Sequence, residues 1–103
     1  MATAETTARL TTADDGVLRL EGELSFETVP ALWRAVPFPP AGSGPVVLDL
    51  AGVVRTDSAG LALLVEWLRA ARRAGRELRL RAMPAQMLAI ARVSGLDRIL
   101  PLE

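Results

Sequence analysis

The chain has no cysteine, no histidine and no lysine, and each absence closes off a chemistry. Without Cys or His there is no disulfide, no thiol nucleophile, no His-based triad and no zinc site of the usual kind. Neither sign of charge is in excess: 12 arginines face 12 acidic side chains, for a formal net charge of zero. Broad attraction to a nucleic-acid backbone needs a positive excess, so no nucleic-acid partner is expected. Long apolar runs are also lacking. The longest, Ala59 to Val65, stops at Glu66, whereas a membrane-spanning helix needs about 20 apolar residues. No direct insertion into a membrane is expected. Met1 to Leu10 contains Glu5 and has no basic stretch before an apolar core, so it does not read as a signal peptide. The cytoplasm is the expected compartment.

What is present is ordinary for a folded chain: 103 residues, half of them hydrophobic, enough for one domain and too few for two. Residues 1–7 are expected to be a disordered N-terminus and residues 8–103 a single domain. Asp14-Asp15-Gly16 is a turn signal between Ala8–Thr11 and a stretch from Val17 to Leu24 that alternates apolar and polar from Leu18, which predicts a hairpin. Val29, Leu32, Trp33 and Val36 then fall at helical spacing, with Pro30 in the first turn and Pro37 as the stop. The loop Pro39 to Pro45 is rich in glycine and proline. A phosphate-binding loop needs a Lys and a following helix, whereas this one precedes a strand, so it reads as a linker.

Val46-Val47-Leu48-Asp49-Leu50 is nearly all apolar, as expected of a central strand buried on both faces. Asp49 reads as structural, its carboxylate accepting hydrogen bonds from the backbone of the loop that follows. A helical pattern runs from Asp57-Ser58-Ala59-Gly60 through Ala74, with Gly75 just past its end and Arg72, Arg73 and Arg76 where positive charge complements the helix C-terminus. Glu77 to Arg81 alternates as a strand, Met83-Pro84 opens another helix, and Leu96 to Leu102 closes the chain. Strand, helix, strand, helix after a hairpin implies an α/β domain with a mixed sheet and helices packed on it.

Two places carry most information. Asp57 and Ser58 both precede the apolar run of the long helix, and either can cap it. Local pattern favours Ser58 as the cap, but two caps side by side are redundant, and a free hydroxyl at a helix N-terminus is a phosphorylation site in waiting. Ser58 lacks an adjacent base and is a poor nucleophile. Farther along, Leu61, Leu64, Val65, Leu68 and Ala71 make one core stripe, at about 100° per residue. Leu63, Trp67, Ala70 and Ala74 flank it. Either neighbouring helices cover Trp67, or this apolar strip binds a partner.

The run Val46 to Val53 followed by Asp57-Ser58-Ala59-Gly60-Leu61 resembles the signature of STAS domains, the anti-sigma factor antagonist family. Arg76 to Leu80 and Val93-Ser94-Gly95-Leu96 fit the same pattern. Glu21-Gly22-Glu23-Leu24, Leu32-Trp33 and Gly60 to Leu64 with Trp67 are similar to the small STAS subunit of Mla-type phospholipid transporters, which maintain outer-membrane lipid asymmetry. The resemblance implies a four- to five-stranded sheet backed by helices. It also implies a non-catalytic, protein-binding function with no cofactor, no metal and no catalytic residue. The partner it implies is the cytoplasmic ABC transporter ATPase, with the chain held peripherally at the inner membrane. Partner-binding residues are then Thr56, Asp57, Ser58, Ala59, Gly60, Leu63, Trp67 and Ala70. The alternative is a partner-switching regulator bound to a serine kinase or anti-sigma factor and controlled by phosphorylation of Ser58.

Overall fold

In the computed structural model, which describes residues 7–103, strand β1 (Ala8–Thr12) and strand β2 (Leu18–Leu24) form the hairpin that the turn signal predicts. Asp15 Oδ1 accepts the Val17 N–H at 3.0 Å to hold the turn. The expected disordered N-terminus lies outside the described residues except for Thr7. The Thr7 carbonyl accepts the Glu23 N–H at 2.9 Å and ties the chain to the sheet. Helix α1 (Val29–Ala35) follows, then strand β3 (Val46–Thr56), helix α2 (Ser58–Arg73), strand β4 (Leu78–Arg81), helix α3 (Ala85–Val93) and a 3₁₀ turn at Leu96–Arg98. Strand order is β1-β2-β3-β4; the first pair is antiparallel and the other two are parallel. This is a mixed α/β sheet with helices packed on it.

Burial alternates along the strands. Leu18, Leu20, Leu24, Val46, Leu48, Leu50, Leu78 and Leu80 point into a core completed by Leu61, Leu64, Leu68, Ala71, Met87 and Ala91 of the helices. The expectation that β3 is buried on both faces is therefore corrected. Val47 and Asp49 are only half-buried, because the helices cover one face of the sheet and leave the other to charged side chains. On that open face Arg19 and Arg81 flank Asp49 in register, and the Asp49 carboxylate accepts the Ala51 N–H at 2.8 Å as expected. Glu77 bonds to Arg79 at 3.2 and 3.3 Å, and these hydrogen bonds and its charge raise the Arg79 pKa above its usual value. β3 also runs on through Thr56, past the Ala51-Gly52 break in its alternation, because the strand shifts register against β2 there.

Helix α1 buries only Leu32, and Trp33 is 46% exposed, since so short a helix presents little more than one side chain to the core. Helix α2 ends as predicted, with Gly75 at φ +70° just beyond its C-cap. Arg76 does more than complement the helix end. Its guanidinium donates to the carbonyls of Gly44 at 3.0 Å, Ser43 at 3.3 Å and Pro40, and so staples the proline- and glycine-rich loop to the end of α2. The stapled loop lays Phe38 flat on Trp67, with ring centroids 4.5 Å apart and planes 9° apart. That stack contributes about 0.5–1.5 kcal/mol beyond the area it buries.

Candidate functional site

The parallel pairing of β2 and β3 brings their C-terminal residues, Leu24 and Thr56, side by side. Two chain reversals therefore start from one point, one leading to α1 and the other to α2. The Thr56 hydroxyl lies 3.0 Å from the carbonyls of Leu24 and Asp57, which share its one proton, and the Asp57 N–H donates to Leu24 O at 3.1 Å. The Thr56 N–H donates to Gln86 Oε1 at 3.2 Å, which adds the start of α3 to the cluster. Close approach here requires Gly60. A Cβ at that position would overlap Thr56 Oγ1 and sit 2.9 Å from Leu24 Cβ.

Asp57 is the cap of α2. Its Oδ1 accepts the Ala59 N–H at 2.8 Å, while Oδ2 reaches across to accept the Phe26 N–H at 3.1 Å. One carboxylate thus holds both a helix start and the neighbouring loop. That loop is fixed again by Thr28, whose hydroxyl donates to Glu23 O at 2.7 Å and accepts the Ser25 N–H at 2.9 Å. The local expectation that Ser58 caps the helix is corrected in favour of Asp57. Ser58 is the first helical residue and exposed, and among the described residues its hydroxyl has no hydrogen-bond partner.

Of the eight residues assigned to a partner surface, only Ser58 is fully exposed, and Asp57 and Ala70 are half-buried. Thr56, Ala59 and Gly60 are buried beneath Ser58 and position it. Leu63 at 2% and Trp67 at 0% exposure are core residues, which corrects the apolar-strip reading. Helical periodicity places them on the flank, but Phe38 comes from outside the helix to cover Trp67. Trp67 and Ala70 also lie about 14 and 18 Å along the helix from Ser58, at 1.5 Å per residue, and belong to a different part of the surface.

Two exposed apolar residues at the Ser58 end were not anticipated, Phe26 at 71% and Val54 at 81% exposure. The signal for Phe26 was an aromatic residue between Ser25 and Glu27, outside any periodic stretch. Beside them a polar cleft of about 290 Å³ is lined by Glu23, Ser25, Glu27, Arg55, Thr56, Asp57 and Gln86. Arg55 approaches Glu23 at 3.9 Å across it. Among the described residues no three acidic side chains gather as metal ligands. Among the described residues no hydrogen bond joins the Ser58 hydroxyl to a basic group that could activate it. What this end offers is a rigid rim with one free hydroxyl and exposed apolar side chains.

A family model described as the Mlab STAS domain matches residues 8–101. The chain belongs to that STAS family. The fold agrees with two solved STAS-type structures. One is a candidate anti-sigma factor antagonist of Thermotoga maritima, at 21% identity and a TM-score of 0.69, covering 92% of this chain and 84% of that one. The other is an anti-sigma-factor antagonist (STAS) domain protein of Planctomyces limnophilus, at 20% identity and a TM-score of 0.65, covering 93% of this chain and 88% of that one. At those identities the likeness concerns the STAS fold. No curated protein matches the chain. Among the described residues no helix is long and apolar enough to cross a membrane.

Proposed function

We propose that this STAS chain is a non-catalytic subunit that docks on a protein through the rim formed by Phe26, Asp57 and Ser58, and that the protein is the ABC ATPase of a Mla-type phospholipid transporter. The observation that carries the reading is the division of labour at the start of α2. Asp57 performs the capping and leaves the exposed Ser58 hydroxyl free, beside an aromatic ring that is 71% exposed on a loop held in place by the same carboxylate. A solvent-facing aromatic on a backbone held in place, next to a polar group, is the kind of anchor that protein interfaces use. The family description supports the transporter branch, as do Leu32-Trp33 and Gly60 to Leu64 in the sequence. In this role the chain sits on the cytoplasmic side of the inner membrane, held there by its partner.

The free hydroxyl also supports a second reading, a partner-switching regulator phosphorylated on Ser58. A phosphate there would meet the helix N-terminus favourably but would also face Asp57. Affinity capture from cytoplasm and membranes of the native cell distinguishes the two. Recovery of an ABC ATPase supports the transporter subunit; recovery of a serine kinase or anti-sigma factor supports the switch. In either case Ser58→Asp should break the complex without lowering the melting temperature, because binding would bury an unpaired charge at a cost of several kcal/mol. Full retention of the partner by both Ser58→Asp and Phe26→Ala would show that the rim is not the docking surface.

A further inference from the structure

The sheet has two outer edges, β1 and β4, and among the described residues only one of them is covered. At β4 the chain closes its own edge. The Leu80 N–H donates to Pro101 O at 2.9 Å and Leu80 O accepts the Glu103 N–H at 2.8 Å, a parallel bridge centred on Leu102. At β1 nothing among the described residues pairs with the outer edge. The hairpin decides which groups stand there. Thr7 O accepts the Glu23 N–H and the Ala13 N–H donates to Val17 O, both at 2.9 Å, and bonded and unbonded pairs alternate along an antiparallel ladder. Arg9 and Thr11 therefore bond inward to β2, while the N–H and C=O groups of Ala8, Leu10 and Thr12 point outward. The usual protections of an edge are missing, since β1 has no proline, no lysine and no bulge against β2. Beside it runs a largely apolar groove of about 250 Å³, walled by Ala8, Ala31, Leu32 and Ala35 among others.

We propose that this edge pairs with the β1 edge of a second copy of the chain, antiparallel about a two-fold axis at Leu10, so that two four-stranded sheets become one continuous sheet. The occupant follows from the self-complementarity of the strand. In this register Leu10 faces Leu10, and Ala8 faces Thr12 on either side of it. Each of these three pairs exchanges two main-chain hydrogen bonds. Arg9 lies opposite Thr11, and no like charges meet. The neighbouring symmetric registers are poorer: one sets Arg9 against Arg9, and the other carries Ala8 past the end of the facing strand. The two-fold keeps the helices of both copies on one face. The two half-buried Leu10 side chains then meet beside the core layer, and Thr12 of the second copy enters the groove next to Ala8. So short an edge buries little area, and the dimer is weak and concentration-dependent. It involves neither Ser58 nor Phe26 and does not depend on the docking reading above.

Sedimentation of the full chain from micromolar to millimolar concentration should show a monomer passing into a dimer. Over the same range amide exchange at Ala8, Leu10 and Thr12 should slow, while that at Arg9 and Thr11, already bonded to β2, should change far less. Thr12 is exposed. Thr12→Pro removes an outward N–H, spares the ladder to β2, and should weaken the dimer about tenfold or more. Thr11→Glu, on an exposed residue facing Arg9 of the second copy, should tighten it about threefold at low ionic strength, and added salt should erase the gain. A monomer throughout the range overturns the proposal. So does slow exchange at Ala8, Leu10 and Thr12 that ignores concentration, which would mean that the edge is covered from within one chain. A dimer indifferent to Thr12→Pro uses another surface, and one weakened by Thr11→Glu pairs in another register; either result overturns the proposal as well.

Discussion

The two ends of helix α2 are built from different residues and do opposite things. At the start, a short polar network of Thr56, Asp57 and Thr28 fixes the backbone so firmly that Ser58 and Phe26 can be left in water. Toward the end, an aromatic residue that helical periodicity places on the flank of the core stripe is covered by a loop from elsewhere in the chain. Exposure therefore follows what the rest of the fold brings to each turn of the helix. A tryptophan becomes core where a loop arrives to cover it, and a phenylalanine becomes surface where a carboxylate holds its backbone at the rim.

The largest expected break in this comparison is Trp67→Ala. Removing a fully buried indole and its Phe38 stack should cost about 3–5 kcal/mol, read by thermal or denaturant unfolding, and loss of partner binding would then follow from loss of fold. A cost below 1 kcal/mol would mean the ring is not packed as described. Next is Gly60→Ala, where the added methyl group collides with Thr56 and Leu24. A penalty of about 1–3 kcal/mol is expected, and an unchanged melting point would show that the helix start can shift. The smallest effects separate the two neighbours. Asp57→Ala should lose about 0.5–2 kcal/mol with the cap, whereas Ser58→Ala should stay within roughly 0.5 kcal/mol of the parent. Equal losses at both positions would contradict the assignment of the cap to Asp57.

Much of the fold was legible because it is written locally. Asp14-Asp15-Gly16 between two alternating stretches specifies the hairpin, and the core stripe of α2, with its end at Gly75, follows from spacing alone. The same is true of the general location of the site, since Asp57-Ser58 before an apolar run marks a helix start whatever surrounds it. The misreadings concern partners distant in sequence. Nothing near Trp67 announces Phe38, which lies on the far side of β3 in the chain. Nothing near Arg76 announces that its guanidinium serves the loop from Pro40 to Gly44. The length of β3 was obscured at Ala51-Gly52, where the register shift interrupts the pattern that defines a strand. Local pattern favours Ser58 over Asp57 as the cap although both side chains can accept a helix N–H, so sequence alone misassigns it. The assignment is decided by Phe26, whose backbone needs the second carboxylate oxygen that only Asp57 has.

The Arg76 staple has a consequence for how this loop can change over evolutionary time. All three of its acceptors are main-chain carbonyls, and every amino acid carries one. Substitutions at the exposed Ala41 and Ser43 that preserve the backbone path leave the staple intact, whereas Gly42 and Gly44, at φ +133° and +83°, hold a backbone that favours glycine. Insertions and deletions are another matter, because they move the acceptors relative to a guanidinium of fixed reach and release Phe38 from its position over Trp67. The loop is thus constrained in length and course while remaining permissive in composition only at Ala41 and Ser43, and the constraint on its length is set by a residue on the far side of the helix.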